Sequence, residues 1–104
     1  MTIPLWTYAI RGWAEDADRH ARETVRVRPN SVDARRTRGR ADAYAWWWVR
    51  AHLLAVASPE RIERMALVAD EIARVDDAES GHGRREATAD VLALAARHRT
   101  DGWR

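Results

Sequence analysis

Between Ala43 and Ala57 the chain reads AYAWWWVRAHLLAVA, an apolar run broken only by Arg50 and His52 and centred on three adjacent tryptophans, Trp46, Trp47 and Trp48. Successive residues of an α-helix point about 100° apart, so three in a row sweep about 200° and cannot share one narrow stripe. Helical spacing sets Tyr44, Trp47, Ala51 and Leu54 on one side and Ala45, Trp48, Val49 and Val56 on the other, and both sides need cover. In a short chain that cover comes from a central position in a helical bundle or from a second copy of the protein. Each buried tryptophan removes about 150–250 Å² from water, and four short helices leave little room for Trp6, Trp13 and the whole triplet inside one protomer. The expectation is a two-fold homodimer in which Trp46 or Trp48 faces the other chain, with Trp6, Trp13, Trp46, Trp47 and Trp48 as the interface residues.

A length of 104 residues makes one domain, residues 1–104, with a single core. Hydrophobic content of 46% beside 33% charged residues is globular, and alanines spread through periodic segments favour helix. Cysteine is absent, which removes disulfides, thiolate zinc sites and redox dithiols and suits a reducing cytoplasm. No targeting pattern opens the sequence, and the Trp-rich run is shorter than the roughly 18 residues of a membrane span and carries Arg50. A cytoplasmic protein away from membranes is expected, in the host cytoplasm if a phage encodes it.

Along the chain, Trp6, Ile10, Trp13, Ala17, His20, Thr24 and Val27 recur at spacings of four and three, predicting a first helix over 4–25 with His20 as a hydrogen-bonded core residue. Pro29 and Asn30 interrupt it, and Ser31 caps a second helix over 32–57 with Gly39 as a weak point; the alternative leaves 28–40 as a mobile loop. Ser58-Pro59-Glu60 is the strongest local start signal: a capping serine, proline at the first helical position and an acid at the positive end of the dipole. The third helix should bury Ile62, Met65, Ala69, Ile72 and Val75 or Asp76, widened by Val68. Asp77 to Gly83, DAESGHG, reads as a turn, and a fourth helix over 84–99 should bury Ala87, Val91, Leu94, Ala95 and His98. The fold class predicted is all-α, a small four-helix bundle around the Trp-rich helix.

Three stretches carry a family resemblance: Ile10-Arg11 with Glu15-Asp16 and Ala21-Arg22; Ser58-Pro59-Glu60-Arg61-Ile62; and Val91-Leu92-Ala93-Leu94 with a closing Trp103-Arg104. In this order they resemble small uncharacterised helical proteins of actinobacteria and actinophages. The resemblance covers about half the chain and departs from the family pattern at Ser58, in the short segment before the last helix and in the Trp triplet. It implies a source and a helical fold. The family is a domain of unknown function, so no activity or catalytic residue carries over.

All 18 basic residues are arginine, as codon bias in a high-GC genome produces. Six of them, Arg26, Arg28, Arg35, Arg36, Arg38 and Arg40, stand against Asp33 alone between positions 26 and 40, a local +5, while 12 arginines and 15 acids elsewhere give −3. Such a cluster can track a phosphate backbone and release counterions, or it can pair with the acidic first or third helix of the same or another subunit. Asp76, Asp77, Glu79 and His82 suit a divalent cation by chemistry but equally suit a solvated helix end; Asp16 and His20 share one helix face. Glu60, Glu63, Glu86 and Asp90 invite comparison with all-helical, Mg²⁺-dependent nucleotide pyrophosphohydrolases, although the second pair is spaced by four where those enzymes use three. The serines are Ser31, Ser58 and Ser80, and none lies in a nucleophile turn. The reading is therefore a non-enzymatic helical accessory protein that self-associates and binds a protein or nucleic-acid partner. No cofactor is expected.

Overall fold

The computed structural model describes residues 3–102, with side chains over 3–98. A 3-10 turn at Leu5–Thr7 leads into α1 (Tyr8–Val27), followed by α2 (Val32–Val49), α3 (Ala51–Val56), α4 (Pro59–Val75) and α5 (Ala78–Gly102). The all-α class is as expected; among the described residues five α-helices replace the four predicted, because the predicted second helix breaks at Arg50. There φ and ψ are −103° and 11°, and the Arg50 side chain donates to the Trp46 carbonyl at 2.9 Å, so α2 ends and α3 begins as a separate helix. Both serine caps form as predicted, with Ser31 Oγ accepting from the Ala34 amide at 3.1 Å and Ser58 Oγ from the Arg61 amide at 3.2 Å. The loop between α1 and α2 turns on Asn30, whose φ of 64° lies in the left-handed region that asparagine tolerates.

Extensive packing runs from α1 to α2, from α2 to α5 and from α5 to α4, which gives a row of helices measuring 47 × 25 × 20 Å. The shortest dimension is about two helix diameters. α1 is antiparallel to α2: Thr24 meets Thr37 near the loop, and Trp13 and Tyr8 meet Tyr44 and Trp48 further along. α2 and α5 run parallel, since Arg36, Arg40 and Trp47 engage Glu79, Glu86 and Thr88 in the same order. The core gathers Ile10, Tyr44, Trp47, Leu54, Val91 and Leu94 where these helices meet.

Several expected core positions lie elsewhere. His20 and Val27 are exposed, because α1 turns Ile10, Ala14, Ala17, Ala21 and Thr24 inward, a seam of the same spacing whose alanines let α2 approach. On α4 the buried residues are Ala69 and Ala73, while Val68 and Val75 are exposed and Ile62, Met65 and Ile72 half-buried. The largest correction concerns Asp77 to Gly83, which is the first turns of α5. Asp77 caps it, accepting the Ser80 amide at 3.0 Å, and the glycines serve close packing: a Cβ on Gly83 would stand 3.0 Å from the Arg36 carbonyl carbon, and one on Gly81 3.3 Å from that of Ala73. Gly39, expected to weaken its helix, is buried at the same crossing.

Candidate interaction surfaces

Among the described residues the Trp-rich helix is covered mainly on one side. Tyr44, Trp47, Ala51 and Leu54 are all buried, with Trp47 at 0% exposure and its indole N–H donating to Thr88 Oγ1 at 3.0 Å. On the opposite side Ala45 is exposed, Trp48 half-buried, and Val49 and Val56 are 69% and 66% exposed. Trp48 meets the Tyr8 ring at 5.4 Å, and Leu5 and Tyr8 are themselves exposed beside it. An apolar surface thus runs from the start of α1 over the end of α2 to α3.

Trp6, Trp13 and Trp46 find partners within the chain, so one protomer has room for them. Trp46 packs edge-on against Trp47 at 4.8 Å and lies under the Arg50 guanidinium, 3.9 Å from its ring centre, a cation–π contact. Trp6 stacks flat on His98 at 5.4 Å, and Trp13 tilts against Tyr44 at 5.7 Å. Of the two tryptophans proposed to face another chain, Trp48 is the one beside open apolar surface.

The arginine segment is helical from Val32 and mostly engaged with acids. Arg35 reaches Asp77 at 3.9 Å, Arg36 reaches Glu79 at 2.9 Å, and Arg40 reaches Glu86 at 3.5 Å and Asp90 at 3.7 Å, so three rungs tie α2 to α5. Arg84 answers from α5, 3.5 Å from Asp42 and 2.9 Å from Asp76. Arg26 pairs with Glu23 within α1, leaving Arg28 and Arg38 without an ion pair among the described residues. The pairing helix is α5, whose acidic start had the composition of a turn. Arg35 Nε, Arg36 Nε and Glu86 Oε1 are shielded from water without a hydrogen bond among the described residues, a cost the surrounding rungs must offset.

At the centre of this ladder Tyr44 donates its hydroxyl to Asp90 Oδ2 at 2.6 Å and accepts from Arg40 at 3.0 Å. Burial and the Asp90 carboxylate push the phenol above the ordinary tyrosine range. Glu86 and Asp90 are thus bound to Arg40, while Glu63 borders a different groove, between α4 and α5, and Glu60 is exposed on α4. Among the described residues no three histidine, aspartate or glutamate side chains converge as a metal site would require. That holds for Asp76, Asp77, Glu79 and His82, which instead serve the ladder, cap α5 or, for His82, lie 3.8 Å from Glu86. Asp16 pairs with Arg19, not with His20. No helix among the described residues is long and apolar enough to cross a membrane.

No family model matches the chain, and no curated protein or solved structure shows significant similarity to it. Trp103 and Arg104, which close the resemblance to the actinobacterial and phage proteins, lie outside the described residues.

Proposed function

We propose that this is a non-enzymatic helical interaction protein of actinobacterial or phage origin that self-associates as a two-fold homodimer and presents the paired assembly to a macromolecular partner. The observation that carries the reading is the open side of the Trp-rich helix, where Val49 and Val56 stand exposed beside Trp48, Tyr8 and Leu5. A contiguous apolar surface of this kind costs free energy in water and is relieved when the same surface of a second copy covers it. Nucleic-acid binding gains less support, because four of the six arginines in the basic segment are matched by intramolecular carboxylates.

Light scattering after size exclusion, at a concentration on the order of 100 µM, should return twice the chain mass. Val49→Glu with Val56→Glu should return a monomer of unchanged helicity, since both side chains leave the core intact. A wild-type monomer at that concentration would overturn the reading, as would a dimer indifferent to both substitutions. Retention on DNA at low salt that falls when Arg28 and Arg38 become alanine would favour the nucleic-acid alternative.

A further inference from the structure

α1 and α5 both pack on α2, and a cleft of about 620 Å³ opens over α2 between them. Its volume falls in the roughly 300–1,000 Å³ range of small-molecule sites. Trp13 forms one wall, Leu94 and Arg97 the other, and Arg40, Tyr44 and Asp90 line it between them. The charges in this lining are unequally spent. Arg40 is matched by Glu86 and Asp90, and Asp90 already accepts from Tyr44. Arg97 is exposed and has neither an ion pair nor a side-chain hydrogen bond among the described residues, and the Trp13 indole N–H is likewise unmatched there. The unmatched cation and the ring N–H are both donors, and they flank apolar surface supplied by an indole and a leucine.

We propose that this cleft binds a small anion carried on a flat ring, the ring lying against Trp13 and Leu94 and the carboxylate or phosphate meeting Arg97. A planar guanidinium suits either acid because it offers two parallel donors, and an indole favours a flat neighbour over a flexible chain. The cleft shares no lining residue with the proposed dimer surface at Leu5, Tyr8, Trp48, Val49 and Val56.

Two anionic probes test it, indole-3-acetate for an aromatic carboxylate and adenosine monophosphate for a ring phosphate, each beside its uncharged counterpart, indole-3-acetamide or adenosine. Calorimetric titration of the full chain should show saturable binding of at least one anion with a Kd of about 1 mM or below and at least about tenfold weaker binding of its neutral counterpart. Arg97→Gln, exposed and in a good helix former's position, should weaken that anion at least about tenfold, while Arg61→Gln on α4 leaves it unchanged. The tighter anion identifies the acid. Absence of saturation by both anions up to about 10 mM, or equal affinity in Arg97→Gln and wild type, overturns the proposal.

Discussion

Gly39 on α2 lies flat against the backbone of Ser80 on α5: a Cβ at position 39 would collide with the Ser80 carbonyl oxygen and stand 2.8 Å from its carbon. Backbone cannot swing aside as a flexible side-chain tip can, so Gly39→Ala must push the two helices apart. Helix propensity alone favours alanine by about 1 kcal/mol, whereas overpacking costs about 1–3 kcal/mol and also stretches the Arg35, Arg36 and Arg40 rungs. A net loss of up to about 2 kcal/mol is expected in urea unfolding. Gly12, with nothing within 4 Å of its would-be Cβ, is the control: Gly12→Ala should gain about 0.5–1 kcal/mol. Equal gains at both positions would show that the crossing is looser than described.

Thr88→Val keeps the shape of a half-buried side chain but removes the acceptor of the Trp47 indole N–H. Trp47 is fully buried, so its donor would find no water. The expected cost is about 1–3 kcal/mol, and Thr88→Ser, which retains the hydroxyl, should recover part of it. Chemical denaturation followed by tryptophan fluorescence measures both.

Tyr44 sets an alkaline limit. Its phenol is held above the ordinary range by burial first and then by the hydrogen bond to Asp90, with Arg40 acting in the opposite direction. A group whose folded pKa is raised contributes stability that is complete below the unfolded value, about 10 for tyrosine, and is lost as pH rises toward the folded one. Unfolding free energy should therefore decline above about pH 10, and Tyr44→Phe should flatten that decline while lowering stability near neutrality by about 1–2 kcal/mol. An unchanged slope in the variant would locate the alkaline sensitivity elsewhere.

Asp77 acts at the opposite end of the scale. The amide and hydroxyl of Ser80, then the charge of Arg35, hold its carboxyl below the usual carboxylate value. A depressed pKa gives stability present above the unfolded value, about 3.9, and lost as pH falls through the folded one. Thermal melts between pH 5 and pH 2 should lose part of their acid slope in Asp77→Asn, which can still cap α5 but does not titrate. Asp77→Ala should instead lower the melting temperature at every pH, because the cap itself is gone.

Local chemistry was legible wherever one residue type has one structural use. Ser31 and Ser58 cap as read, because an extended residue with a short hydroxyl before a helical run has few other roles. The inward side of the Trp-rich helix was legible from spacing. Gly81 and Gly83 were not, since a glycine that permits a turn and a glycine that admits a neighbouring backbone are the same letter, and only the position of α2 separates them. The basic segment failed for a related reason: its partners Asp77, Glu79, Glu86 and Asp90 lie more than forty residues away in sequence, so their register could not be read without the parallel pairing of α2 and α5. The cleft residues Arg97 and Leu94 carried no signal beyond helical spacing, and Trp13 stood out for its size and its place in the seam of the first helix.

The parallel pairing also has a consequence in time. Trp47 and its partner Thr88 are 41 residues apart, and a ribosome adding about 5–20 residues per second releases the second about 2–8 s after the first. The α1–α2 hairpin, built from neighbours in sequence, can form within that interval, but the face that α5 will cover stays open until α5 itself has been made. A newly made chain therefore passes through a stage in which α1 alone covers the Trp-rich helix and Trp47 lies bare, and its yield in the cell depends on how quickly α5 arrives.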